Sequence, residues 1–345
     1  MQMTREEGVR RVYDGRSHVV ILGAGASIAA TLRDSEATGK RLPSMEDFVA
    51  VLGLEDLVRE AGLGDGERNF ERIYSELYAQ DPASPLLAKI ESRVHQYFAD
   101  MALPPTPTIY DYLVMSLRPK DLIATFNWDP FLFQAWNRNF RAADMPRIAF
   151  LHGSVSIGYS TSRQKAGPAG MFADAECREE FVPSRLLYPV AVKDYNTDDF
   201  IAREWDRLRK ALATASRMTI FGYGVPATDV EAVSLMSEAW GVPDERNLEQ
   251  IEIIDVQPEA VLTRRWEAFI HTHHYDALQE YWESSLAAYP RRTHERFMHQ
   301  FLPSTVEEAF QEPNPVPRDL SSLQQLWDWH RPLVEAEEAH EEARD

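Results

Sequence analysis

The sequence predicts an α/β protein: a Rossmann-like parallel sheet flanked by helices, with a helical insert and a helical C-terminal region. Three observations carry this expectation. First, short apolar runs each end in a polar or glycine-rich turn. Second, helical periodicities lie between those runs. Third, the segment from Met218 to Ile254 alternates strand, helix and strand, the rhythm of parallel pairing.

The first strand is His18-Val19-Val20-Ile21-Leu22, running into Gly23-Ala24-Gly25-Ala26-Ser27. An apolar run ending in Gly-x-Gly reads as a strand that delivers a glycine loop to a dinucleotide phosphate. From about Ser27 to Met115 no second clear strand follows. Helical patterns such as Asn69 to Tyr78 instead suggest an insert beside the sheet. The loop Leu103-Pro104-Pro105-Thr106-Pro107 closes it before a helix from Ile109 to Leu117.

Two strands come next, Asp121 to Phe126 into Asn127-Trp128-Asp129, and Arg147 to Leu151 into His152-Gly153. The stretch from Ser154 to Arg185 has five Gly and Pro residues and no clean periodicity, so it is expected to be a long, mobile loop. A lid and an ordered surface excursion are both compatible with its length. A helical pattern from Thr197 to Ala215 leads to the strand Met218 to Phe221 and the turn Gly222-Tyr223-Gly224. A helix from Asp229 to Trp240 and the strand Ile251 to Ile254 follow, ending at Asp255-Val256-Gln257-Pro258. Beyond Pro258 the chain reads as helices, closing in a solvated acidic tail around Glu335 to Glu342, frayed or disordered. The expected division is a nucleotide-binding catalytic domain over 1–285, with the insert at about 40–117, and a helical extension over 286–345.

Composition narrows the function classes. The chain has 345 residues and a formal net charge of −19, which disfavours direct nucleic-acid binding through phosphate contacts. No uninterrupted apolar stretch of roughly 18 residues is present, so no membrane span is expected. Met1 to Glu7 is hydrophilic and lacks a secretion signal, which points to the cytoplasm. A single cysteine, Cys177, excludes an internal disulfide and a four-thiolate zinc ribbon. His271, His273, His274 and Asp276 form a weak metal motif, so no metal is expected; surface or interface histidines fit them better. Trp266, Trp282, Trp327 and Trp329 read as core aromatics, with a subunit interface as the other reading.

In an open parallel sheet the turns after the strand C-termini line one crevice, so the four polar clusters can meet there in an NAD site. Hydride transfer is disfavoured. A dehydrogenase fingerprint needs an acid at the end of a second strand about 20 residues after the glycines. Here that position falls in Leu42-Pro43-Ser44-Met45-Glu46-Asp47, a proline and a helix start.

Four segments in this order, Gly23-Ala24-Gly25-Ala26-Ser27, Thr125-Phe126-Asn127-Trp128-Asp129, Leu151-His152-Gly153 and Gly222-Tyr223-Gly224-Val225-Pro226 with Asp229, resemble the sirtuin-like NAD-consuming superfamily. The closer likeness is to the bacterial sirtuin-like NAD hydrolases of antiphage defence, over about Val19 to Pro258. Protein-deacylating sirtuins carry a four-cysteine zinc ribbon that this chain cannot build, so the resemblance implies NAD as substrate, no zinc, and water as acceptor.

The residue types suit that chemistry. Cleaving the nicotinamide–ribose bond releases a neutral base, so no general acid is required. Backbone amides of Gly23 to Ser27, with Gly23, Ala24, Gly25 and Ser27 the named contacts, can hold the pyrophosphate at a helix N-terminus. Asn127 offers a donor and an acceptor to align ribose hydroxyls and water. His152, with an ordinary pKa near 6.5, can accept a proton at neutral pH. In the family the matching Asn and His are the catalytic pair. Asp129 can orient the nicotinamide amide or favour positive charge on the ribose. The resemblance further implies that the adenosine end lies toward Gly222, Tyr223 and Gly224, with Asp229 in the same motif and Asp255 or Val256 near the adenine ribose.

Structural alternatives accompany each residue. The glycines also make a tight turn, Asn127 and Asp129 also cap a following helix, and an isolated histidine is commonly a satisfied core residue. The expected function is an NAD hydrolase that depletes cellular NAD in antiphage defence. It is restrained by homo-oligomerisation or by a sensor partner such as a ring ATPase or a short Argonaute-type protein. A non-catalytic NAD or ADP-ribose sensor and an ADP-ribosyl transferase are the competing readings.

Overall fold

The computed structural model describes residues 3–31, 40–62, 69–173, 179–190, 193, 195–225, 229–242, 246, 249–270, 274–301 and 312–344. Cys177, Pro226, His271 and His273, all singled out in the sequence, lie outside these. Among the described residues the strands are β1 (His18–Leu22), β2 (Leu122–Thr125), β3 (Arg147–Phe150), β4 (Ile157–Ser160), β5 (Lys165–Pro168), β6 (Val182–Pro183), β7 (Arg217–Phe221), β8 (Gln250–Ile254) and β9 (Tyr275–Leu278).

Every residue of β1 is buried, as a strand covered on both faces must be. Its side chains alternate between two cores. Val20 and Leu22 pack with the helices Phe48–Leu52, Phe70–Gln80, Pro85–Ala99 and Ile109–Met115. Val19 and Ile21 pack on the opposite face with Asp199–Thr214 and Val230–Trp240. The helices start where the sequence places caps. Asn69 accepts from the Arg72 amide, Ser84 precedes Pro85, Thr108 and Asp111 form a capping box, and Asp198 accepts from the Ile201 amide.

The main sheet runs β3-β2-β1-β7-β8-β9, all parallel. Counting only its six strands, the order is 3-2-1-4-5-6, a doubly wound Rossmann arrangement whose direction reverses between β1 and β7. Leu22 pairs with Thr125 and Phe221, Thr125 with Phe150, and Phe221 with Ile254. The turns opening at Gly23, Phe126, Leu151, Gly222 and Asp255 therefore stand level along one edge.

Three expectations are corrected. The stretch from Ser154 to Arg185 holds a small antiparallel sheet, β5-β4-β6, not an irregular loop. Its strands are at most four residues and carry Gly158, Gly167, Pro168 and Pro183, so alternation cannot develop. Beyond Pro258 the chain is not wholly helical, because β9 adds a parallel edge strand. The acidic tail is neither frayed nor fully solvated. It forms the helix Leu323–Glu342, with Glu337 buried against Arg291 and Arg292. Among the described residues no helix is long and apolar enough to cross a membrane.

At the switch point two backbones touch. The amides of Gly23 and Gly25 donate to the carbonyls of Phe221 and Gly222, at 3.0 and 2.9 Å. Gly222 has φ +62°, and a Cβ there would stand 2.3 Å from the Ala26 nitrogen. Gly222→Ala is therefore expected to cost at least about 2 kcal/mol, since left-handed backbone alone costs roughly 1–2 for an L-residue and the neighbour is rigid backbone. Thermal or denaturant unfolding reads this; a change under about 0.5 kcal/mol would contradict it.

Candidate active site

Asn127 follows β2 by two residues and is locked from behind. Its Nδ2 donates to the Gly23 carbonyl at 2.8 Å and the Ser27 hydroxyl at 2.9 Å, and shares one of these two hydrogens with the Tyr110 hydroxyl at 3.3 Å. The donor side is thus committed, which leaves Oδ1 as the acceptor the side chain can offer a ligand or water. Ser27 Oγ donates to Asp129 Oδ2 at 2.7 Å and is 2.7 Å from Tyr110 OH. Asp129 Oδ1 accepts from the Phe131 amide at 3.1 Å, so Asp129 also caps the helix Phe131–Asn139. Burial pushes the Asp129 carboxyl up to about 6, opposed by the hydrogen bonds from Ser27 and the Phe131 amide.

His152 follows β3 and is 6% exposed, with Nε2 buried and without a hydrogen-bond partner. Phe126 meets its ring edge-on at 4.8 Å, and Tyr195 lies nearly parallel at 6.0 Å. Burial, and secondarily the Lys193 ammonium, push the imidazole down to about 3, against a smaller opposite pull from Asp229. The ring is therefore neutral throughout the physiological range, well below the ordinary value expected from sequence.

Asn127, Asp129 and His152 line one cavity of about 230 Å³ together with Gly23, Ala24, Ser27, Gly222, Tyr223, Gly224 and Asp229. Glu71 and Lys193 also line it, and the rest of its wall is apolar, with Phe48 and Phe98 and with Trp128 edge-on to both. Tyr223 is packed beneath it, parallel to Phe126 at 4.1 Å, and its hydroxyl donates to Asp229 Oδ2 at 2.8 Å. The turn holding Gly222 is doubly left-handed, since Val225 has φ +49°, an outlier of the kind concentrated at functional sites.

The other predicted residues lie elsewhere. Gly25, Asp255 and Val256 line a second cavity of about 470 Å³ with Gly222, Tyr281 and Trp282. Gly222 borders both cavities, so they adjoin at the switch point. Asp255 Oδ1 accepts from the Gln257 amide, and Val256 is 80% exposed. Three amides expected to bind a pyrophosphate are already engaged, because Ala26 donates to the Gly23 carbonyl as Gly23 and Gly25 donate to β7 and its turn.

Sequence reasoning missed Tyr110, which joins the Asn127 network from the insert, and Lys193, which pairs with Asp229 inside the cavity. No spacing rule joins either to the motifs; only the capping box at Thr108 hinted that a helix fixed Tyr110. Asp276 accepts from Gln250 Nε2 at 2.7 Å on β9. Among the described residues no group of three or more His, Cys, Asp or Glu side chains is arranged to hold a metal ion.

Fold and site together define an α/β protein with a polar crevice at the switch point of a Rossmann-type sheet. No family model matches the chain, and no curated protein matches it in sequence. Among solved structures, a Sir2 homologue in complex with NAD is similar over 86% of this chain and 97% of its own, at 13% identity and a TM-score of 0.41. A structure describing the mechanism and regulation of Sir2 enzymes is similar over 84% and 94%, at 14% identity and a TM-score of 0.39.

Proposed function

We propose that this chain cleaves the nicotinamide–ribose bond of NAD and passes ADP-ribose to water. The reading rests on one observation above all: the unpartnered, buried Nε2 of His152 and the locked amide of Asn127 line the same switch-point cavity. The C1′–N bond breaks with its electron pair leaving on nicotinamide, which departs neutral, so no group need protonate it. Asn127 Oδ1 accepts a hydrogen of the attacking water, and the water oxygen bonds to C1′. The oxygen so attached is an oxonium and strongly acidic, so even a weak base suffices. Neutral His152 takes the proton and returns it to solvent. The apolar wall of Phe48, Phe98 and Trp128 suits the flat nicotinamide ring.

The motif resemblance and the toxicity of unchecked NAD loss support a role as a gated effector of antiphage defence in the cytoplasm. Its activity is held down by self-assembly or by a sensor partner, a ring ATPase or a short Argonaute-type protein. The direct test incubates the purified chain with NAD in 18O-water, with and without its genomic neighbour, and resolves the products. Equimolar nicotinamide and ADP-ribose, with label at C1′, is the expected result. Label-free ADP-ribose attached to protein would move the reading to transfer, and NAD bound but intact would move it to sensing.

The acid limb of kcat/KM is expected at about 6 and to belong to Asp129, whose protonation removes the negative charge that the Ser27 hydroxyl donates to and so loosens Asn127. His152 stays neutral until about 3 and contributes no limb. Asp129→Asn should flatten the limb while lowering the plateau; a limb that persists in that variant would reassign it. In stability the sign is opposite: a carboxyl with a raised pKa stabilises the fold below its ordinary value, and this is lost as pH rises through about 6.

A further inference from the structure

A diphosphate carries about two negative charges, and this cavity already holds three carboxylates, Glu71, Asp129 and Asp229, so a cation beside it offsets repulsion. The glycine turn offers less than its length suggests, because the amides of Gly23, Gly25 and Ala26 already donate to backbone carbonyls. Lys193 is the one Lys or Arg among the described residues lining the cavity, and it is 5% exposed. Its Nζ donates to Asp229 Oδ1 in a buried ion pair, while Asp229 Oδ2 is held by the Tyr223 hydroxyl. Asp229 precedes the helix Val230–Trp240 and shares the cavity lining with Gly222 and Gly224, so the pair sits at the switch point. A buried ammonium is costly without a counter-charge, and Asp229 supplies it when no ligand is bound.

We infer that Lys193 anchors the diphosphate of the nucleotide, and that Asp229 is a built-in competitor that the diphosphate displaces from Nζ. This rests on the nucleotide reading of the cavity given above. A diphosphate carries two charges and several acceptor oxygens against the single charge of Asp229, so the exchange favours the ligand. Asp229 keeps the Tyr223 hydrogen bond after release, which limits its loss.

Two variants separate this from a merely structural ion pair, because their effects have opposite signs. Titration calorimetry with ADP-ribose, which is not turned over, is the readout. Lys193→Met should weaken ADP-ribose binding roughly 10- to 100-fold, the worth of a charge-assisted contact, while leaving the affinity for uncharged nicotinamide unchanged. Lys193→Arg should restore most of it. Asp229→Asn removes the competitor and should tighten ADP-ribose binding severalfold. A structural pair would lose affinity in both variants, so weaker binding by Asp229→Asn overturns the proposal even if Lys193→Met fails to fold. Wild-type affinity in a folded Lys193→Met variant overturns it as well. Wild-type protein that binds ADP-ribose through Lys193 but releases no nicotinamide would reject hydrolysis and leave this anchor standing.

Discussion

His152→Ala is expected to lower nicotinamide release from NAD by about 10²- to 10⁴-fold, the range for a positioned proton acceptor, with ADP-ribose affinity changed only a few-fold. Asn127→Ala should lose at least as much, because its Nδ2 ties the Gly23 carbonyl, Ser27 and Tyr110 together, and its Oδ1 is the acceptor in the mechanism proposed above. In the proposed mechanism the two act on one water, so the double variant should be little slower than the worse single one. Product chromatography measures all three. Undiminished cleavage in both single variants would place the chemistry elsewhere, and losses that multiply would mean the residues act on separate events.

The second large effect is on stability. Glu337, on the helix Leu323–Glu342, accepts from Arg291 Nε at 3.0 Å and pairs with Arg292, and Arg118 Nε lies 3.8 Å away. Both Arg291 and Arg292 are nearly fully buried, and Arg291 also donates to the Leu117 carbonyl at 2.9 Å. Removing the one carboxylate that these guanidinium groups share leaves buried charges uncompensated. Glu337→Ala is accordingly expected to cost about 3–5 kcal/mol, read by denaturant unfolding. A loss below about 1 kcal/mol would mean that Glu295, paired with Arg118 at 2.9 Å, takes over its role.

The same carboxylate bears on acid stability. Burial alone would raise it, but Arg291, Arg292 and Arg118 hold it below the usual glutamate range. A depressed carboxylate contributes stability above its ordinary pKa and loses it as pH falls through the lowered one. The hold of Glu337 on this helix should therefore weaken as pH falls through that lowered value, read by acid titration of unfolding stability.

The parallel sheet was legible because β1, β2, β7 and β8 are short apolar runs ending in recognisable turns, and such runs survive almost any context. What escaped was set by partners rather than by pattern. The strands β4 to β6 consist largely of Gly, Pro and polar residues and exist because their backbones pair with each other. The strand β9 is a four-residue edge following a histidine-rich stretch that drew attention to metal chemistry. The acidic tail reads as solvated until Arg291 and Arg292, some 45 residues earlier, are seen beneath it. In the site, the polar residues after β2, β3 and β7 were legible and Asn127 and His152 do line one cavity. The glycines were visible, yet their engagement with the β7 turn depends on φ +62° at Gly222, which no spacing encodes. Lys193 lies in no motif, and the fold alone sets it beside Asp229, 36 residues away.

The helix Leu323–Glu342 is anchored through Arg291 to the carbonyl of Leu117, just ahead of the starting edge of β2, whereas Asn127 and His152 follow the finishing edges of β2 and β3. Because the strands run parallel, those edges are opposite rims. A fluorophore or surface tether attached at the last turn of this helix, around Glu338 and Glu341, would consequently ride on the underside of the molecule, leaving the mouth of the crevice clear for dye-based assays of ligand entry.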